Sequence, residues 1–194
     1  MIADPLLSWA AVVAFAATGV FWLARGAART TTVAGRLTAA LHVVMSLAMI
    51  AMLRDVAVPT AAGMAVFAAA TAVFLVLLVR PAHRAENAYH AAMMATMVWM
   101  YAVMDPALVP TTMSAGHADH SMPGMDMGGG GMSMAPAAWA GTLDLMLGLV
   151  YLAVAGAWVA YAYRRSEDAP ARRLTGAMQA LMAAGMAVMF LSYR

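Results

Sequence analysis

The sequence predicts an all-α integral membrane protein, a bundle of six transmembrane helices with the N- and C-termini outside. Three observations lead to this fold class: the composition, six long apolar runs and an uneven distribution of arginine. Hydrophobic residues make up 64% of the 194 residues and charged residues 10%, with a mean hydropathy of +0.78. A soluble domain averages roughly 25% charged residues, so the composition argues against a soluble enzyme and against a nucleic-acid-binding protein.

The six apolar runs are each long enough to cross a membrane. Each has about 17–24 residues, close to the roughly 20 that a hydrocarbon core of ~30 Å requires. Ala, Leu, Val and Met dominate them, and none contains an internal proline. We predict a single transmembrane domain with spans at 6–24, 37–53, 60–79, 88–104, 138–161 and 174–193. Positive charges follow the first run and do not precede it, so we expect a retained anchor and no signal peptide.

The basic residues set the predicted orientation. All 11 are arginines, and nine lie in the segments after the first, third and fifth runs. Positive residues gather on the cytoplasmic side of membrane proteins, so these segments are predicted inside and the termini outside. Many alanines and no lysines are typical of a GC-rich bacterial genome. We therefore expect a multi-pass protein of a bacterial plasma membrane, with the one long connection, 105–137, on the outer side.

That outer connection is rich in soft metal ligands. It holds two histidines, six methionines and four consecutive glycines, with few other bulky apolar side chains that would form a core. Thioethers select Cu(I), and imidazole binds either oxidation state of copper. The predicted capture ligands for Cu(I) are His117, His120, Met122, Met125, Met127, Met132 and Met134.

Part of this connection also resembles known copper proteins. The segment 117–127, HADHSMPGMDM, is similar to the Met/His-rich copper-binding segments of bacterial periplasmic copper-resistance proteins. The resemblance implies that copper binds at the outer face. The alternative is a flexible linker without a ligand, although six exposed methionines would oxidise readily in such a linker.

Methionines recur at helical spacing in the three even-numbered spans. In the second span, the spacing of 3, 4 and 3 places four residues within an arc of ~80° on one helix face. These four are His42, Met45, Met49 and Met52. The fourth span repeats the pattern with His90, Met93, Met97, Met100 and Met104, beside Met94. The sixth span has Met178, Met182, Met186 and Met189 on one face.

These methionine stripes suggest a route for Cu(I) through the membrane. All three spans run outward, so the two histidines lie near the inner ends and the last methionines near the outer connection. If the three faces converge, successive weak thioether sites allow an ion both to enter and to leave. The competing explanation is packing, because methionine fills irregular gaps between helices well.

His42 and His90 have two possible roles as ligands. They are predicted to form the inner copper site, or alternatively to be the axial ligands of a b-type haem, as in bis-histidine membrane cytochromes. Haem explains the two histidines but not the outer connection. Asp144 is the one acidic residue well inside an apolar run, where it is expected to pair with Arg54 or to help receive an ion.

No enzyme motif is present, and the chain has no cysteine. The four-glycine run lacks the Lys-Ser/Thr of a phosphate-binding loop, so we expect no enzyme. The predicted function is Cu(I) capture followed by transfer, uptake or delivery to a membrane cuproenzyme or another membrane complex. A third possibility is a structural or assembly subunit of a membrane complex without a metal.

The six spans, the outer connection and the segment 90–100, HAAMMATMVWM, together resemble an actinobacterial family of membrane proteins of unknown function. The resemblance implies a bacterial plasma membrane and a multi-span fold. It implies no activity.

Overall fold

The structure, a computed structural model, describes residues 4–28, 31–79, 84–109, 111–113, 134–136, 138–164 and 170–192. This part of the chain contains six helices, as predicted, and two short strands. The helices are α1 (Pro5–Ala27), α2 (Val33–Leu53), α3 (Thr60–Leu77), α4 (Arg84–Val103), α5 (Ala138–Arg164) and α6 (Pro170–Ser192). The strands, β1 (Thr111–Met113) and β2 (Met134–Pro136), pair antiparallel and were not predicted.

Five of the helices, all except α4, are long and apolar enough to cross a membrane. The chain is therefore a membrane protein. The 20 residues of α4 correspond to a length of about 30 Å, but its first two turns carry polar side chains. Among these, Asn87 donates a hydrogen bond to the carbonyl oxygen of Leu77 at 2.9 Å, which joins α4 to the end of α3. A protein contact thus satisfies this amide where α3 and α4 meet.

Local hydrogen bonds explain where α1 begins and how α2 ends. The Asp4 carboxylate accepts a hydrogen bond from the backbone N–H of Leu6 at 2.8 Å and caps α1, as N-cap residues commonly do. After α2, Asp55 adopts a positive φ of 50°. The Val56 N–H then reaches the Ala51 carbonyl oxygen at 2.9 Å. This Schellman arrangement ends the helix in a sharp turn.

The helices form three consecutive hairpins, α1 with α2, α3 with α4 and α5 with α6, and α1 also packs against α6. Small residues allow the close approaches, as is usual between membrane helices. A Cβ at Gly185 would lie 2.6 Å from the Phe15 ring, and one at Gly63 would overlap the Tyr101 ring. Any larger residue at these positions would push the facing ring away, so glycine sets the close approach where α6 meets α1 and where α3 meets α4.

Helices α4 and α6 are the most buried, and α2 turns its methionine-bearing face to the interior while Val44 and Leu47 on its other side are exposed. Large apolar side chains such as Val13, Val76 and Leu152 on α1, α3 and α5 are exposed, as side chains that contact lipid tails would be. The exposed positions of α4 beyond its first turn are the small residues Ala88, Ala92 and Ala95. The interior position of α4 explains why its sequence is less apolar than the others.

Candidate metal site in the helix bundle

His42 on α2 and His90 on α4 meet inside the bundle. Their ring centroids are 5.0 Å apart, with an interplanar angle of 82°. The two side chains are 0% and 1% exposed, respectively. The structure therefore brings together two imidazoles that are 48 positions apart in the sequence and that the sequence analysis paired only by their similar depth.

The hydrogen bonds of the two histidines define which ring nitrogen is free. Nδ1 of His42 lies 2.8 Å from the carbonyl oxygen of Thr38, and Nδ1 of His90 lies 2.8 Å from that of Glu86. Because a carbonyl oxygen only accepts, Nδ1 carries the proton and donates. Each Nε2 then holds a lone pair and has no hydrogen-bond partner among the residues that the structure describes. Histidines that bind metals have this arrangement, with one nitrogen donating to a carbonyl and the other free.

Aromatic rings enclose the pair. Trp22 of α1 stacks on His42 at a centroid distance of 4.2 Å, and Phe74 of α3 stacks on His90 at 5.0 Å. Tyr89 contacts the edge of His90 at 5.6 Å. The rings hold both imidazoles in place and separate them from lipid. Neither Trp22 nor Phe74 was expected to contact a histidine, because their positions along the chain give no sign of this contact.

The predicted methionine stripes of α2, α4 and α6 converge on one buried cluster. Its ten methionines are Met45, Met49, Met52, Met93, Met94, Met97, Met100, Met182, Met186 and Met189. Met104 packs against the cluster from its edge, and Met178 is half-buried. The histidines are thus at one end of a continuous thioether-rich interior, and packing and ion binding remain the two explanations for it.

A third helix contributes an amide to the histidine pair. Gln179 of α6 is buried, and its side-chain oxygen accepts a hydrogen bond from the Tyr89 hydroxyl at 3.5 Å. The Gln179 carboxamide is also close enough to the His42 ring to interact with it, although the two groups do not meet ordinary hydrogen-bond geometry. Gln179 was not among the predicted site residues. A glutamine inside an apolar run is nevertheless a signal, because buried amides usually form hydrogen bonds across helices.

At the other end of the cluster, the stripes reach a cavity. Met52 of α2 and Met104 line a space of about 220 Å³ together with Asp55, Thr60 and Tyr101. The predicted outer connection begins directly after Met104. The last methionines of two stripes thus share a cavity with a carboxylate.

Strands β1 and β2 join the two ends of the long connection 105–137, with Thr111 opposite Pro136 and Met113 opposite Met134. Met134 is the one predicted capture ligand whose backbone is described. The other predicted capture ligands lie outside the described residues: His117, His120, Met122, Met125, Met127 and Met132.

Asp144 of α5 is 2% exposed and accepts a hydrogen bond from the Trp99 indole N–H at 2.8 Å. Arg54, which the sequence offered as a partner, instead lies over the Trp9 ring at 4.3 Å. The indole of Trp99, a residue without a predicted role, is therefore the group that binds this carboxylate.

Within the described ranges, no group of three or more His, Cys, Asp or Glu side chains is placed to hold a metal ion. A metal bound at His42 and His90 would therefore need thioether or amide groups as its remaining ligands. Among first-row transition metals, Cu(I) is the ion that thioethers select.

Comparisons with known proteins identify the family but not an activity. The chain is 35% identical to the uncharacterized protein Mb0995 of Mycobacterium bovis and to the uncharacterized protein Rv0970 of Mycobacterium tuberculosis, with 98% of this chain and 97% of each relative covered. No solved structure matches the chain. A family described as a domain of unknown function, DUF5134, matches residues 34–193. The prediction of an actinobacterial family of unknown function is confirmed, and the chain belongs to the DUF5134 family.

Proposed function

We propose that this chain is a copper-binding membrane protein that captures Cu(I) at the outer face and passes it inward through the bundle. It would serve uptake, transfer or delivery to a membrane cuproenzyme. The proposal includes six spans with both termini outside, α4 being the interior span. One observation carries it: the buried pair His42 and His90, each with an Nε2 atom that has no partner among the described residues, adjoins a cluster of ten buried methionines.

The spacing of the two imidazoles leaves room for a shared ion, although rings in direct edge-to-face contact have the same separation. With metal–nitrogen bonds of about 2 Å, two imidazoles that bind one ion at a tetrahedral angle have ring centres about 5 Å apart. The observed separation is 5.0 Å. Two coordination positions would remain, and the neighbouring thioethers and the Gln179 amide are the groups available to fill them.

The same spacing favours copper over the haem alternative. Axial haem ligands lie on opposite faces of the iron, which places their ring centres about 6 Å apart with the porphyrin between them. His42 and His90 instead contact each other edge to face, and Trp22 and Phe74 cover their outer faces. A porphyrin between the two histidines would require His42 and His90 to move out of contact with each other.

The methionines would act as successive weak ligands between the outer cavity and the histidines. An ion would enter at Met52 and Met104, which line the outer cavity. It would then move along buried thioethers to the inner imidazole pair. The relay ligands are Met100, Met97 and Met93 on α4 with Met49 and Met45 on α2. A series of weak sites releases an ion as readily as it accepts one.

The test uses the full chain purified in mild detergent, with elemental analysis, a visible spectrum and anaerobic Cu(I) titration against a chromogenic chelator. We expect bound copper, no Soret band, and loss of at least one Cu(I) when His42 and His90 are both replaced with leucine. Met146, which is exposed on α5, gives the matched control M146L. A Soret band without copper would support haem, and absence of both would support an assembly subunit; either result would contradict the proposal.

A further inference from the structure

We propose that α2, α4 and α6 hold two stacked Cu(I) sites, each made of three methionines, with one methionine from each helix. This inference rests on the proposed function and deepens it, because it adds α6 as a third column of ligands. Three thioethers around one position are a ligand set that selects Cu(I). The first site consists of Met45, Met93 and Met182, and the second of Met49, Met97 and Met186.

A pattern of eleven residues recurs in the three helices. It begins with a polar side chain and continues with methionines at intervals of 3, 4 and 3 residues. The three copies are HVVMSLAMIAM at 42–52, HAAMMATMVWM at 90–100 and QALMAAGMAVM at 179–189. Methionine accounts for 21 of the 194 residues, so composition alone does not explain nine methionines in matching positions. Gln179 stands where the other two helices carry histidine.

The first residues of the three copies meet inside the bundle. The His42 and His90 rings are 5.0 Å apart. Gln179 accepts a hydrogen bond from the hydroxyl of Tyr89, the residue before His90, at 3.5 Å, and it is close enough to His42 to interact with it. All three first residues are buried. The three copies therefore start at the same depth.

The copies also end at the same depth. Met100 of α4 lines a small cavity with Phe190, which follows Met189 on α6. Met52 of α2 lines another cavity with Met104, which lies one turn beyond Met100. All three helices rise 1.5 Å per residue. Methionines at equal intervals thus lie at equal depths between the two ends, and each depth receives one thioether from each helix.

The six proposed ligands are the most enclosed members of the repeat. Each is 0% exposed, and all belong to one contiguous core. On every helix, the two ligands are four residues apart, which places them about 40° apart around the helix axis and about 6 Å apart along it. The closest helix packing is within each hairpin and between α1 and α6, so methionine side chains fill the space between α2, α4 and α6.

The chemistry of these sites differs from that of the histidine pair. Histidine must lose a proton before it binds a metal, whereas a thioether sulfur carries no proton. The methionine sites should therefore bind Cu(I) with an affinity that does not change with pH. They would also remain when the histidines are replaced.

Anaerobic Cu(I) titration of the full chain in detergent, against a chromogenic competitor, tests the second site. M49L, M97L and M186L should each bind one Cu(I) fewer than wild type, or bind that ion about tenfold or more weakly. The triple variant should lose no more than each single variant, because all three lose the same ion. Met to Leu conserves volume in a packed core. The matched control is M94L, since Met94 is 0% exposed on α4 but lies outside the repeat; it should match wild type.

X-ray absorption at the copper edge provides a second measurement. In the variant H42L/H90L, the remaining Cu(I) should have a first shell of sulfur alone, at both pH 6 and pH 8. Copper bound through nitrogen or oxygen, or complete loss of copper from this variant, would refute the methionine sites.

The outcomes of the titration separate this inference from the proposed function. If wild type binds Cu(I) and the three single variants keep its stoichiometry and affinity, the methionine sites are refuted while copper binding stands. The same holds if M94L loses as much copper as M97L, because that result assigns the loss to packing. If wild type binds no Cu(I), the proposed function itself fails.

Discussion

Replacing His90 with leucine tests whether this histidine serves as a metal ligand or only as a packing residue. Replacing a buried histidine whose two ring nitrogens are both hydrogen-bonded would lower the stability of the protein. His90 differs because Nδ1 donates to the Glu86 carbonyl oxygen while Nε2 has no partner in the described part of the chain. An unsatisfied buried acceptor costs about 1–3 kcal/mol, and leucine removes it.

The interactions lost in H90L are worth about as much as the cost of the unsatisfied acceptor that leucine removes. The Nδ1 hydrogen bond contributes about 0.5–1.5 kcal/mol, and the stacking on Phe74 contributes about 0.5–1.5 kcal/mol beyond burial. We therefore expect the free energy of unfolding of metal-free H90L to lie within about 1 kcal/mol of wild type. Free Cu(I) at a hundred times its Kd should stabilise wild type by about 2.7 kcal/mol and H90L far less.

The assay is unfolding of the full chain in detergent, with and without Cu(I) under reducing conditions. Two results would refute the reasoning. One is a metal-free H90L that is destabilised by more than about 3 kcal/mol, which exceeds the lost contacts. The other is equal stabilisation of both proteins by Cu(I), which would place the ion elsewhere.

Three further predictions concern packing, the outer connection and pH. G185A should destabilise the protein by about 1–3 kcal/mol, because the added Cβ meets the Phe15 ring. G141A has nothing within 4 Å of its added Cβ and should gain up to about 1 kcal/mol from the higher helix propensity of alanine. A thermal unfolding midpoint for G185A that is not lower than that of G141A would contradict the α1–α6 contact. Replacing Met122, Met125 and Met127 together with leucine should weaken Cu(I) capture about tenfold or more without changing the helical circular dichroism signal, and unchanged affinity would refute capture there. Acidification should lower Cu(I) affinity, since a protonated imidazole cannot ligate; the H42L/H90L double variant should lose that pH dependence, and its persistence would assign the effect to other groups.

The sequence was sufficient to predict the helices because each is long, apolar and bounded by charged or turn residues. Every helix lies over a predicted run, with ends that differ by at most four residues. The inward face was predictable for α2, α4 and α6, where methionine marks it. It was less so for α5, since its lipid-facing and protein-facing sides are both apolar and periodicity then gives little direction.

The contacts that define the candidate site were beyond the sequence. The stacking of Trp22 on His42 and the bond between Trp99 and Asp144 depend on how helices rotate against each other, and each joins two different helices. Spacing along one helix fixes which residues share a face. It does not determine which neighbouring helix that face meets.

The turn at Asp55 links backbone geometry to charge at the cavity lined by Met52 and Met104. An L-residue with positive φ costs about 1–2 kcal/mol, which glycine would avoid and which aspartate and asparagine tolerate better than most. Glycine would relieve the torsion but leave the cavity without its carboxylate, whereas asparagine would retain the turn and cancel only the charge. The positive φ of Asp55 therefore carries a conformational cost. The same residue places its carboxylate at the cavity that Met52 and Met104 line.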